Sequence, residues 1–158
     1  MALSVGIAGL SEVADVGLCE WTKPDQFRSR FQAELPEGIR IGSVQIAATN
    51  ASRQPKEISY RAPLLARHVL TEERIQALLA SESACVTRTR QKDAKEVDVR
   101  QFLKAIRLEG DALHMLLSCT DEGTARPEEV LEVLGCQEGR DYAKGLIERT
   151  HVSLSPSR

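Results

Sequence analysis

Five basic side chains, Arg88, Arg90, Lys92, Lys95 and Arg100, crowd into one short stretch of this 158-residue chain. They are the residues whose type and spacing best suit chemistry: a row of cations can neutralise successive phosphates, or another polyanion, with an affinity that falls as salt rises. The wider stretch Arg88–Arg107 holds seven basic and three acidic residues, against fourteen and twenty in the rest of the chain. A segment of charge +4 therefore sits in a body of −6. Aromatic interleaving is poor, with Phe102 nearby and Tyr60 on a neighbouring strand, so base stacking has little to offer here. A solvated basic hairpin accounts for the same residues equally well. Asp98 and Arg100, two apart on an extended segment, can orient a substrate through charge-assisted bonds or fix the path of the segment as a structural ion pair.

Other chemistries find less support. His68, His114 and His151 would have to converge with cysteines from distant parts of the chain to hold a metal. His114 and His151 lie on predicted strands and could approach across a sheet, but separate surface or packed histidines are the simpler reading, and no metal site is expected. Cys19, Cys85, Cys119 and Cys136 are nowhere closer than 17 positions, which rules out Cys-x-x-Cys zinc pairs and a cluster-binding Cys-x-x-x-Cys-x-x-Cys. The pattern fits small buried thiols in a reduced, cytoplasmic chain. No Gly-x-Gly-x-x-Gly, Walker lysine loop or Gly-x-Ser-x-Gly occurs, so no nucleophilic catalysis and no cofactor is indicated.

A chain of this length buries roughly 68–70% of the surface its unfolded form exposes, enough for one core or two small ones. Its 42% hydrophobic and 28% charged residues are ordinary for a globular domain, and no apolar run reaches the 18 or so residues of a membrane helix. The apolar opening Met1–Leu10 lacks a positive leading region and meets Glu12 and Asp15 at once, unlike a signal peptide. A net charge of −2 argues against a generally basic nucleic-acid binder, so any such binding must be local.

The elements that would carry the basic stretch follow from periodicity and punctuation. Val13, Val16, Leu18 and Trp21 predict a strand over Glu12–Trp21. Thr22 as cap with Asp25 three residues on, and Pro24 in the first turn, predict a helix with Phe27, Phe31 and Leu35 as its buried stripe. Ile39, Ile41, Val44 and Ile46 predict a second strand. Alternation through Ile58, Tyr60 and Ala62 marks another strand stopped by Pro63, and Thr71, followed by Glu72 and Glu73, caps a helix burying Ile75, Leu78 and Leu79. Cys85–Arg90 alternates so that Val86, Arg88 and Arg90 share a side. A helical turn at Arg100–Leu103 leads into a hairpin closed by Glu109-Gly110-Asp111, with one longer helix as the alternative. Pro127 with Glu128 and Glu129 opens a helix that Gly135 ends, and Leu146–Leu154 forms the last strand.

Residues 57–154 thus read strand, helix, strand, strand, helix, strand. The fold class is α+β: ferredoxin-like (split βαβ) antiparallel sheets with helices on one face. Residues 57–154 are the complete unit, 1–50 a partial one and 155–158 a tail.

Lys95-Glu-Val-Asp-Val-Arg100, the hairpin through Leu108 and Leu113-His-Met-Leu-Leu117, Arg126-Pro127-Glu128-Glu129-Val-Leu-Glu-Val-Leu134 and Leu35-Pro-Glu-Gly-Ile-Arg40, in this order and spacing, resemble the radical-SAM-linked (radical-SAM-associated) family of unknown function over nearly the whole chain. The resemblance implies a radical-SAM protein as partner, fused or encoded beside it, and an RNA-related role. It also implies a further strand and helix ahead of Met1 that would complete the first unit. A sheet lacking that piece leaves an unpaired edge, so a homo-oligomer is expected. Two functions follow: a binding module that presents RNA or another polyanion to the radical-SAM enzyme through Arg88, Arg90, Lys92, Lys95 and Arg100, or a scaffolding domain that docks on that enzyme without nucleic acid. Neither needs catalysis by this chain.

Overall fold

The computed structural model describes residues 3–47, 54–65, 70–90 and 93–155. The chain divides into two compact units, Met1–Glu12 with Arg53–Pro156, and Val13–Ser52 with Ser157–Arg158.

The larger unit is built on a five-stranded sheet in the order β1-β7-β2-β6-β5, from β1 (Ala8–Gly9), β2 (Pro55–Pro63), β5 (Leu103–Glu109), β6 (Ala112–Ser118) and β7 (Glu148–Leu154). Setting aside the two-residue β1, which pairs parallel to β7, the remaining strands run fourth, first, third, second. Every pair among them is antiparallel. Strands β2 and β5 are therefore parallel to each other with β6 between them, joined through α2 (Glu72–Ala80), while α3 (Pro127–Val133) joins β6 to β7. This is the split βαβ arrangement of the ferredoxin-like fold, and the chain is α+β as expected. A two-stranded ribbon, β3 (Cys85–Arg90) with β4 (Asp93–Asp98), is inserted between α2 and β5.

Period-2 alternation decides which face is buried. Ile58, Tyr60 and Ala62 of β2 lie opposite Leu117, Met115 and Leu113 of β6, and Leu103 and Ile106 of β5 continue those rows. Ile75 and Leu78 of α2 and Val130 and Leu131 of α3 join the same core, which places both helices on that face. Arg149 of β7 also sits there, opposite Tyr60 and only 3% exposed. Its guanidinium is held by the Glu12 carboxylate, with Nε 2.6 Å from Oε1, which fastens the start of the chain to the sheet.

The helix punctuation reads true for α2 and α3. Thr71 precedes α2, Pro127 opens α3, and Gly135 follows its end with φ +79°. Strand β4 is an element that periodicity did not predict, although Asp98 falls on the extended segment expected there. Ala94, Lys95 and Glu96 are exposed in succession and Val97 is the one buried residue described in it, so the alternation is hidden in the sequence. The expected helical turn is present, with Phe102 N donating to Val99 O and Leu103 N to Arg100 O. The last strand starts later than expected, because Lys144–Leu146 is a 3-10 turn.

In the smaller unit, α1 (Pro24–Glu34) forms as expected, but Lys23, not Thr22, stands at its N-cap, since Pro24 takes the first helical position. The strands expected over Glu12–Trp21 and Ile39–Ile46 are not formed: both segments are irregular and pair with no strand. Extended backbone becomes a strand only when a neighbour accepts its hydrogen bonds. Helix α1 buries no residue, although Phe27 and Phe31 stack with ring centroids 5.2 Å apart, so their stripe does not serve as the expected core. No helix among the described residues is long and apolar enough to cross a membrane.

Candidate functional site

Strand β3 positions the first of the basic side chains. Its inward face carries Val86, which lies opposite Val97 of β4; both are buried, and Arg88 comes next on the same face, opposite Lys95. The Arg88 guanidinium grips Glu129 of α3 with both arms, Nε to Oε1 at 2.6 Å and Nη2 to Oε2 at 2.7 Å, and donates also to Thr124 O at 3.1 Å. Glu129 bonds back to the Arg126 amide at 2.8 Å, the reach of an N3 acid over the start of its helix. The bond to Glu129 raises the pKa of Arg88 against the opposing effect of burial. Arg88 thus ties the ribbon to α3.

Arg100 is likewise engaged inside the fold. Its Nη2 donates to Leu79 O at 2.9 Å and its Nη1 to Leu103 O at 3.3 Å. Asp98 Oδ1 accepts from the amides of Ala84 and Arg100 at 2.9 and 3.0 Å, so the two residues are linked through the Arg100 backbone and together fix the corner between β4 and β5. Lys95 is exposed on β4. Arg90 ends β3 in register with Asp93, and Lys92 lies outside the described residues. Of the expected set, Arg88 and Arg100 serve the fold and Lys95 faces solvent.

The histidines do not gather. His114, 3.5 Å from Glu109, and the exposed His151 share the sheet face away from the helices, with β2 running between them, and His68 lies outside the described residues. No group of three His, Cys, Asp or Glu among the described residues could hold a metal ion.

What sequence reasoning missed is a cavity of about 410 Å³ bounded by β3, α3 and the segment after it. Thr87, Arg88 and Thr89 form one wall; Glu128, Glu129 and Glu132 form the second; Cys136, Glu138, Tyr142 and Lys144 form the third. The third wall depends on a chain reversal at Gly139, φ +82°, whose amide donates to Tyr142 O at 2.8 Å. The Glu128, Glu129, Glu132 spacing was visible in the sequence as one turn of an acidic helix face. That Tyr142 returns to that face was not, because it rests on one glycine turn and on the bridge between Leu64 and Tyr142. Burial and the surrounding carboxylates push the Tyr142 hydroxyl up to about 12, and burial, with Asp141 adding to it, raises the Cys136 thiol.

Residues 1–127 match the model of a family described as uncharacterized proteins conserved in bacteria, DUF2344. The chain belongs to the DUF2344 family. No curated protein and no solved structure matches it. The DUF2344 match takes in the sheet through β6 and both strands of the ribbon and stops at the first residue of α3, so two of the cavity's three walls lie beyond it.

Proposed function

We propose that this DUF2344 chain is an interaction domain that docks on a protein partner, which the resemblance of its sequence makes a radical-SAM enzyme. One observation carries the reading: between Val13 and Ile46 seven large apolar side chains are exposed, Trp21 to 75%, Ile46 to 76%, and Val13, Val16, Leu18, Phe31 and Ile39 to at least a third. Scattered apolar residues on a surface are unremarked, but seven within one short segment, with a tryptophan and a phenylalanine among them, have the composition of an interface core. The segment also forms no core of its own, so covering it costs the fold nothing.

The second reading, RNA or another polyanion bound through the basic segment, is favoured by the exposure of Lys95 and the +4 charge of Arg88–Arg107. It is weakened by Arg88 and Arg100, whose guanidinium groups are committed to Glu129 and to backbone carbonyls.

The test mixes the purified chain with a radical-SAM enzyme, the class of partner that the resemblance implies. A complex that survives nuclease and about 0.5 M salt, and that a Trp21→Ser, Phe31→Ser double change weakens about tenfold or more, supports docking. A complex lost to nuclease or salt, and weakened by Lys95→Ala instead, transfers support to the polyanion reading. Absence of any complex at micromolar concentrations rejects the docking reading.

A further inference from the structure

We propose that Arg149 is a receptor for the carboxylate of a small acid or of an acidic polypeptide side chain, and that Glu12 fills it in cis as an exchangeable stand-in. The site lies within the larger unit and is independent of the docking surface on residues 13–46.

The place of Arg149 in the sheet comes first. Its neighbours on the core face are apolar or aromatic: Ile147 stands two residues before it, Val152 follows beyond the bulge, and Tyr60 lies opposite on β2. A guanidinium only 3% exposed among them is not accounted for by stability, because an apolar side chain of similar volume in such a place is often neutral or stabilising. Among the described residues one carboxylate meets it, that of Glu12, which accepts from Nε at 2.6 Å and from Nη2. This two-pronged fit is the one a guanidinium offers to any carboxylate. The Tyr60 hydroxyl and the Cys119 thiol both feel the charge of Arg149, which opposes the rise that burial gives each of them.

How Glu12 is delivered comes second. It ends a strap anchored by the buried Ile7 and by two backbone bonds, Ala8 N to Ile147 O at 3.0 Å and Leu10 N to Arg149 O at 2.9 Å, while Val5, Ala8 and Leu10 are exposed. A parallel pairing of two residues at a sheet rim belongs to the elements that open locally while the core stays folded. The Glu12 side chain is 37% exposed, so solutes reach the pair from the strap side. A lifted strap leaves Arg149 without an anion, a costly state that an incoming carboxylate relieves.

Gly9 is the third observation, and it is separate from the other two. A Cβ there would stand 2.6 Å from both Cγ and Oε1 of Glu12, so the strap needs a glycine for the carboxylate to fold back onto Arg149. Because the far end of a glutamate is flexible, a methyl group at position 9 displaces the carboxylate before it displaces the backbone.

Two probes separate the sources of the carboxylate. The full chain, labelled with nitrogen-15, is titrated at constant ionic strength with succinate and with N-acetyl-glutamic acid α-amide, while the Arg149 Nε–H and the amides of Tyr60 and Leu10 are followed. In the wild type Glu12 competes as a tethered carboxylate at an effective concentration of about a millimolar or more, so binding should be weak. Glu12→Gln keeps a neutral acceptor on Arg149, which protects the fold, and should bind at least one probe saturably and about tenfold or more tightly than the wild type. Gly9→Ala, which leaves both charged partners in the chain, should tighten binding in the same direction. Adding Arg149→Met to Glu12→Gln should abolish the response. Tighter binding of succinate assigns the site to a free acid, and tighter binding of the glutamyl amide assigns it to a polypeptide side chain. No saturable shift in Glu12→Gln up to about 50 mM of either probe, equal affinity in the wild type and Glu12→Gln, or an undiminished response after Arg149→Met overturns the proposal.

Discussion

Glu129 serves two donors with one carboxylate, the Arg88 guanidinium and the Arg126 amide at the start of α3. Replacing it by Ala strands both. The Arg88 side chain is 24% exposed, so water can reach it, and the loss belongs at the low end for a broken buried pair, about 2–3 kcal/mol. A drop in urea midpoint of that size checks it, with Glu129→Gln losing less because an amide still accepts. Asp98 offers a sharper discrimination, since Oδ1 alone takes both backbone bonds. Asp98→Ala should cost about 2 kcal/mol and Asp98→Asn under about 1 kcal/mol, because the amide oxygen can replace Oδ1. Equal losses in the two variants would instead show that the charge matters. Tyr142 makes a pH prediction. Its hydroxyl titrates near 10 when unfolded and at about 12 in the fold. Between these values the unfolded state has lost a proton that the native state keeps, so stability falls as pH rises from 10 to 12, by no more than about 2.7 kcal/mol. Tyr142→Phe should lose measurably less over that window in urea titrations. None of these partnerships was legible from the residues alone: Arg88 and Glu129 are 41 positions apart, and which cation meets which carboxylate is decided by the packing of the ribbon on α3.

Local signals carried the elements wherever a signal was local. Pro127 before Glu128 and Glu129, with Gly135 after Leu134, marked α3 to within a residue, because a missing N–H and a positive φ act within one turn. The β5–β6 hairpin was marked by its Glu109-Gly110-Asp111 turn, with a longer helix as the competitor that the strand pairing rules out. Strand β4 escaped because Lys95 and Glu96 hide its alternation, and the stretches Glu12–Trp21 and Ile39–Ile46 misled because apolar, β-branched residues imply a strand only if a partner strand exists. Helix α1 was read correctly as a helix and wrongly as a core element. Its 11 residues bury none of their side chains, and an isolated helix this short is marginal in water. Its amides should therefore exchange with solvent deuterium far faster than those of β2, β6 and α3, whose side chains fill the core. Hydrogen-exchange mass spectrometry resolves the two sets, and equal protection of α1 and β2 would contradict the account. Binding of the proposed partner should slow α1 selectively.

At the scale of the molecule, the ferredoxin-like order in the larger unit leaves β5 at one rim of the sheet and only the two-residue β1 covering β7 at the other. Open rims invite pairing with a second copy, but β5 presents Lys104 and Arg107, exposed cations of the kind that discourage edge-to-edge contact. The outward apolar residues of Val13–Ile46 lie among exposed charges, Lys23, Arg28 and Arg40 included, but belong to no strand edge that those charges could guard. Without its partner, the chain should therefore self-associate at tens of micromolar through that segment and not through the sheet rims. The two routes respond oppositely to salt: screening the cations of β5 would strengthen rim pairing strongly, whereas apolar contact changes little between about 0.05 and 0.5 M. Sedimentation equilibrium should show a species heavier than 17.4 kDa whose population is nearly independent of salt and is lost in Trp21→Ser, Ile46→Ser. A compact 17.4 kDa monomer throughout would mean that the exposed segment is not adhesive by itself, and would turn the docking reading toward recognition by specific polar contacts.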